Sequence, residues 1–82
     1  GVASGYDPNE LDSLLPEALK YVIEIGQASI SKLQRHFALG FSRAGKIIDQ
    51  MERLRYISPA DGSRPRTVYL TMDEYRNIYG DN

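Results

Sequence analysis

The segment GFSRAGKIIDQMERLR (residues 40–55) constrains the fold most, because its apolar residues recur at helical spacing. The apolar stripe consists of Ala44, Ile47, Ile48, Met51 and Leu54. At about 100° per residue, a polar arc lies on the opposite side of the helix. This arc contains Arg43, Lys46, Gln50 and Arg53, flanked by Ser42 and Asp49. The segment is therefore predicted to be an amphipathic helix that Ser42 caps.

A second helix is predicted directly before this one, ending at Gly40. Ser31 and Gln34 form its predicted capping box, and Leu33 and Phe37 turn inward. The two helices are thus expected to be joined by a tight turn that contains glycine.

Two further helices are predicted nearer the ends of the chain. In the first, apolar residues recur at steps of three and four. Ser13 is its predicted N-cap, Pro16 is expected in the first turn and Gly26 is expected to end the helix. In the last, Thr71 and Glu74 form a capping box that opens a short C-terminal helix.

Beyond Leu54 the pattern changes from helical to alternating. YIS (56–58) and TVYL (67–70) are predicted to be two strands, joined by the turn-rich loop PADGSRPR (59–66). The short segment ASI (28–30) also alternates, which allows a brief strand.

A helix pair with a tight turn, followed by a β-hairpin, is typical of the winged helix-turn-helix. We therefore predict a mainly α fold with a small β-hairpin, built as a three-helix core plus a wing and a short C-terminal helix. The predicted domain spans residues 10–79, after a flexible leader or cloning remnant (1–9) and before a tail (80–82). The aromatic residues expected in or around the core are Phe37, Phe41, Tyr56 and Tyr69, with Tyr75 and Tyr79 as a docking seam.

Composition excludes several classes of function. The chain has no cysteine and one histidine, which rules out cysteine-based zinc sites and multi-histidine metal sites. No nucleophile–base pair or phosphate-cradling glycine loop is visible, so we expect no enzyme activity, metal or cofactor. No apolar run approaches the roughly 20 residues that cross a bilayer. We expect a cytoplasmic domain without direct membrane contact.

The net charge of −1 conceals a basic middle. Residues 31–66 carry eight Lys and Arg against three Asp and Glu, whereas residues 1–30 and 67–82 are acidic. In a winged helix, the helix after the turn enters the major groove of double-stranded DNA and the wing lies over phosphates or the minor groove. The residues predicted to read bases are Ser42, Arg43, Lys46 and Gln50. The residues predicted to contact phosphates are Lys32, Arg35, His36, Arg53, Arg64 and Arg66.

The stretch ASISKLQRHFALGFSRAGKIIDQME (28–52) resembles the C-terminal gamma domain of the FtsK/SpoIIIE family of bacterial DNA translocases. The match continues into SRPRTVYLT and MDEY and covers nearly all of residues 10–79. The resemblance implies a winged-helix domain attached to a hexameric, ATP-driven motor that lies outside this chain. It also implies that the domain reads short G-rich sequences that orient the motor, and that some members contact a Xer recombinase.

Some residues of the family's motif are present in this chain and others are replaced. Arg43 matches the arginine of the family's recognition helix, whereas Lys46 stands in place of a second arginine and lacks its planar fork. Gly45 has two interpretations, close backbone approach to DNA or close packing between helices. Two alternatives to the translocase function are a free-standing winged-helix transcription regulator and a protein-interaction winged helix that contacts a Xer recombinase.

Overall fold

A computed structural model describes residues 10–80, and within this range the protein is mainly helical. The helices are α1 (Leu15–Ile25), α2 (Ile30–Phe37), α3 (Phe41–Arg53) and α4 (Met72–Tyr79). The mainly α prediction is therefore confirmed. The predicted leader (1–9) and the last two residues of the predicted tail (80–82) lie outside the described residues.

Helix α1 begins later than predicted. Its N-cap is Leu14, which makes no side-chain cap hydrogen bond, so the cap predicted at Ser13 is wrong. The carboxylate of Asp12 instead accepts a hydrogen bond from the Leu14 N–H at 2.8 Å. Pro16 does lie in the first turn, and Gly26 ends the helix in the left-handed region at φ 80°.

The α2–α3 pair forms as predicted, but its caps differ. Ser29, rather than Ser31, caps α2 and accepts from the Lys32 N–H at 3.2 Å. Helix α2 ends at Phe37, three residues before the predicted stop, because Ala38 adopts a left-handed conformation at φ 55°. Gly40 is the N-cap of α3. Ser42 therefore lies inside the first turn and does not cap the helix.

The extended segments pair less regularly than a continuous hairpin. Antiparallel pairing consists of isolated bridges, between Ala28 and Arg66 and between Ile57 and Val68. The side chain of Ser58, not a strand carbonyl, accepts the hydrogen bond of the Thr67 N–H, at 2.9 Å. This substitution, together with the proline before Arg66, explains why the predicted strands shorten to bridges. We call residues 59–66 the basic loop.

One hydrophobic core lies between the helices. It contains the stripe of α3 except Leu54, which is exposed rather than buried as predicted. Phe41 and Tyr69 are also exposed, contrary to the expectation that they pack in or around the core. The buried residues from the other elements are Leu15, Ala18, Leu19, Val22, Ala28, Leu33, Ile57, Leu70 and Tyr75.

The capping box of α4 is confirmed, since Thr71 and Glu74 exchange both of its hydrogen bonds. This helix packs on α1 through Tyr75. The ring centroid of Tyr79 lies 5.0 Å from that of Tyr75. Burial and a hydrogen bond to Tyr56 raise the pKa of Tyr79 to about 12. The docking seam predicted from these two tyrosines thus holds α4 against the core and leaves α2 and α3 open on their outer side.

Candidate nucleic-acid interface

The solvent side of α3 carries a mixed but mainly basic set of side chains. Ser42, Lys46, Asp49 and Arg53 are all exposed there, opposite the buried stripe. Helical spacing alone places them on one side, because residues three, four and seven apart lie above one another. This surface can offer hydroxyl, ammonium and guanidinium donors to an anionic or hydrogen-bonding partner.

Gln50 does not belong to this surface. Its side chain is only 8% exposed. The Oε1 atom accepts a hydrogen bond from the Asp12 N–H at 2.9 Å, and Nε2 donates to the Glu10 carbonyl at 3.3 Å. The base-reading role predicted for Gln50 therefore has no geometric basis. Its amide fastens the segment before α1 to α3.

Arg43 lies between that segment and the solvent side of α3. Its Nε donates to Oδ2 of Asp12 at 2.9 Å, and its Nη2 donates to Oδ1 at 2.8 Å. The hydrogen bond from Arg43 lowers the pKa of the Asp12 carboxyl, and the same contact raises the pKa of Arg43. Half of the Arg43 side chain remains exposed, against 17% of Asp12. The arginine is thus held firmly and still reaches solvent.

Arg66 has the same kind of partner but a different setting. Its Nη1 donates to Oε1 of Glu52 at 2.8 Å and to the Ser58 carbonyl at 3.0 Å. The side chain is 14% exposed. Arg66 therefore ties the basic loop to α3, and the phosphate contact predicted for it does not fit this buried position.

Arg64 lies two residues before Arg66 in the basic loop and, unlike it, is exposed. Its N–H donates to the Asp61 carbonyl at 3.2 Å, which closes a turn. Between the basic loop and the α2–α3 pair runs a groove of about 280 Å³, lined by Arg64, Ser31 and Phe41 among others. The loop and the start of α3 thus border one continuous surface.

Phe41 is the feature of this surface that the sequence prediction missed. As the first residue of α3 it is 68% exposed. Helical spacing gave no signal for this exposure, because Ala44 and Ile48, three and seven residues further on, lie on the same side of the helix and are buried. An exposed aromatic ring at the start of a helix can make apolar contacts with a partner.

The basic residues of α2 separate into two groups. Lys32 is partly buried and Arg35 is exposed. The His36 ring stacks on Tyr21 of α1, with centroids 3.9 Å apart and planes 13° apart, and meets the edge of Phe37. His36 is therefore fixed against α1, which weakens its predicted role beside Lys32 and Arg35.

Gly45 is not required by helix packing. A Cβ built at this position would meet only Ile30 Cδ1, at 3.8 Å, which is an ordinary van der Waals contact. Of the two interpretations of this glycine, close packing between α2 and α3 therefore loses its support.

The described residues thus define a small, mainly helical domain with a basic, partly aromatic outer surface on α3. Residues 9–71 match the family described as the Ftsk gamma domain. The chain belongs to this family.

Related proteins agree with this assignment. The DNA translocase FtsK of Caldanaerobacter subterraneus subsp. tengcongensis is 46% identical over 69 residues, which cover 84% of this chain and 10% of the relative. That of Clostridium tetani is 49% identical over 63 residues, or 77% of this chain and 8% of the relative. The DNA translocase SftA of Bacillus subtilis is 43% identical over 76 residues, or 93% of this chain and 8% of the relative. The chain spans about a tenth or less of these relatives' length.

Among residues 10–80, no helix combines the length and the apolar character that crossing a bilayer requires.

Proposed function

We propose that this domain binds double-stranded DNA in a sequence-specific manner and thereby orients a DNA translocase of which it is a part. In this proposal the domain acts as a winged helix, with α3 in the major groove and the basic loop as the wing. The observation that carries it is the outer surface of α3, where Ser42, Arg43 and Lys46 are exposed, together with the exposed Arg64 on the proposed wing. The relatives named above are DNA translocases.

Base reading is assigned to the first two turns of α3. Arg43 and Lys46 supply donors that suit guanine O6 and N7, which fits a G-rich target. Ser42 can donate or accept, and the Phe41 ring suits the methyl group of a thymine. Gly45 lies among these residues and lets the helix backbone approach the base edges. Gln50 is left out of the interface because it is buried.

Phosphate contacts are assigned to residues around this centre. Lys32 and Arg35 lie on α2, Arg53 in the last turn of α3 and Arg64 on the wing. His36 is at most peripheral because it stacks on Tyr21. These contacts position the domain and carry no sequence information by themselves. Asp49 on the same surface lowers the positive potential, so we expect moderate affinity for a single domain. Several copies on a hexameric parent would gain affinity through effective concentration.

A titration of two duplexes tests the proposal. One contains a G-rich octamer and the other contains the same bases in scrambled order, each at two salt concentrations. We expect tighter binding of the G-rich duplex, and affinity for both that falls as salt rises because counterions are released. Equal affinity for the two duplexes would contradict sequence-specific reading. Binding that is insensitive to salt would contradict the phosphate contacts.

The remaining elements of the proposal concern the parent protein. We place the domain in the cytoplasm, with any membrane anchor and the ATP-driven motor in other parts of the parent. The named relatives favour this translocase over a free-standing transcription regulator. A Xer recombinase, if bound, would contact the outer side of α1 and α2, where the exposed His36 ring stacks on Tyr21. Crosslinking from that side in a mixture of the domain, recombinase and DNA tests this contact.

A further inference from the structure

Asp12 is held in place from several directions. Its N–H donates to Gln50 of α3 at 2.9 Å, and its carbonyl accepts from the Leu15 N–H at 2.9 Å. Its carboxylate accepts from the Leu14 N–H as well as from Arg43. The carboxylate is therefore fixed by the start of α1 and by α3 before any partner binds.

This fixed carboxylate occupies one edge of the Arg43 guanidinium. A guanidinium has five N–H donors in one plane, and Nε and Nη2 use one donor each on Asp12. The remaining edge, formed by Nη1 and Nη2, is the end of the same rigid plane. Paired donors of this kind match the O6 and N7 acceptors of guanine.

We infer that Asp12 is a positioning residue for DNA reading, which fixes the plane of the Arg43 guanidinium so that its Nη1–Nη2 edge faces a base. The inference rests on the proposed function, because it assigns a specificity role within the same interface. Pre-organisation reduces the conformational entropy that a long side chain loses on binding. Asp12 lies outside α3, so the segment before α1 becomes part of the recognition surface.

The same geometry argues against Asp12 as a simple latch that must open for DNA. Release of Arg43 would leave a carboxylate that is 17% exposed and that, among residues 10–80, keeps the Leu14 N–H as its hydrogen-bond partner. An incompletely paired, largely buried charge is costly. Arg43 is half exposed already and need not leave Asp12 to reach a base.

The test compares the affinity ratio between the G-rich and scrambled duplexes in wild type and in Asp12→Asn. We expect Asp12→Asn to lower this ratio about tenfold while affinity for the scrambled duplex stays the same or rises, because a negative charge is removed near phosphates. Asp49→Asn is the matched control, since it removes the same charge from the exposed side of α3. It should change both affinities alike and keep the ratio.

A cycle with Arg43→Lys separates positioning from folding. Lysine keeps the charge but lacks the planar fork, so Asp12→Asn should have no further effect on the ratio in this background. Thermal unfolding checks that each variant is folded. If Asp12→Asn does not fold, Asp12→Glu is used instead. Glutamate keeps the negative charge but displaces the Arg43 guanidinium, so it should still lower the affinity ratio between the two duplexes.

The outcomes are distinct. An unchanged ratio in folded Asp12→Asn, or equal tightening on both duplexes, would overturn the positioning role while the proposed function stands. No discrimination by the wild type would overturn both. A lowered ratio that depends on Arg43 would establish the role of Asp12.

Discussion

Arg43 and Arg66 lie on opposite flanks of α3 and form similar ion pairs with different consequences. Each donates to a carboxylate at 2.8 Å, Arg43 to Asp12 and Arg66 to Glu52. The difference is exposure, which is 50% for the Arg43 side chain and 14% for Arg66. Arg66 also donates to the Ser58 carbonyl.

An ion pair therefore does not by itself tell whether an arginine is structural or functional. A half-exposed guanidinium with one edge bound is still able to offer donors to a partner. One that is buried and shared between a carboxylate and a carbonyl fastens two parts of the chain. We therefore propose that the Arg43 flank of α3 reads DNA and that the Arg66 flank fastens the basic loop to α3.

Arg43→Ala should give the largest effect on binding. We expect affinity for the G-rich duplex to fall about ten- to a hundredfold and the preference over the scrambled duplex to shrink, because a paired donor to guanine is lost. Fluorescence anisotropy with both duplexes measures this. A uniform loss on both would assign Arg43 to phosphates instead of bases.

Arg66→Ala should act mainly on stability. Loss of charge-assisted hydrogen bonds to Glu52 and Ser58 should lower the free energy of unfolding by about 1–2 kcal/mol, measured by urea denaturation. Arg64→Ala is the matched control on the same loop. It should leave stability unchanged and weaken binding to every duplex alike, with a shallower salt dependence. If Arg66→Ala lowered the duplex preference while the domain stayed fully stable, the division between the flanks would be wrong.

Gly45→Ala should change the stability of the domain and its affinity for DNA in opposite directions. Alanine is favoured over glycine in a helix by up to about 1 kcal/mol, and the nearest side-chain atom is 3.8 Å from the added Cβ. We therefore expect a more stable domain that binds the G-rich duplex less tightly. Stabilisation with unchanged binding would mean that DNA does not approach the α3 backbone at this position.

The Asp12–Arg43 pair should also appear in the acid stability of the domain. Because the folded-state pKa of Asp12 lies below its ordinary value of 3.8, the carboxylate contributes stability above that value, which is lost as the pH falls through the folded pKa. Asp12→Asn should lack this component, so the difference in urea midpoint between wild type and variant should shrink as the pH is lowered from about 6 to below 3.8. A stability difference that stays constant over this range would contradict the pairing.

The spacing of apolar and capping residues in the sequence predicted the core and the order of the helices well. Helical spacing identified Ala44, Ile47, Ile48 and Met51 as buried, and the Thr71–Glu74 box was correct because both partners lie in one turn. The caps predicted for α1 and α3, at Ser13 and Ser42, were wrong, and so was that of α2, where Ser29 and Ser31 offer two start positions. Which one is used depends on where the chain leaves its pairing at Ala28.

Long-range contacts explain the errors at the candidate site. Gln50 lies at the edge of the polar arc, and its side chain is hydrogen-bonded by the segment before α1, 38 residues away in the sequence. The sequence predicted that Arg66 lies on the wing and contacts phosphates, but its side chain contacts Glu52 of α3. Periodicity describes one helix at a time and contains no information about what covers its edges.

One titration series distinguishes an Arg43 flank that reads DNA from an Arg66 flank that holds the fold. Wild type, Arg43→Ala and Arg66→Ala are each titrated with the G-rich and the scrambled duplex at a temperature where all three are folded. The account predicts that Arg43→Ala loses the preference for the G-rich duplex and that Arg66→Ala keeps it. Equal preference in wild type and Arg43→Ala would contradict the account.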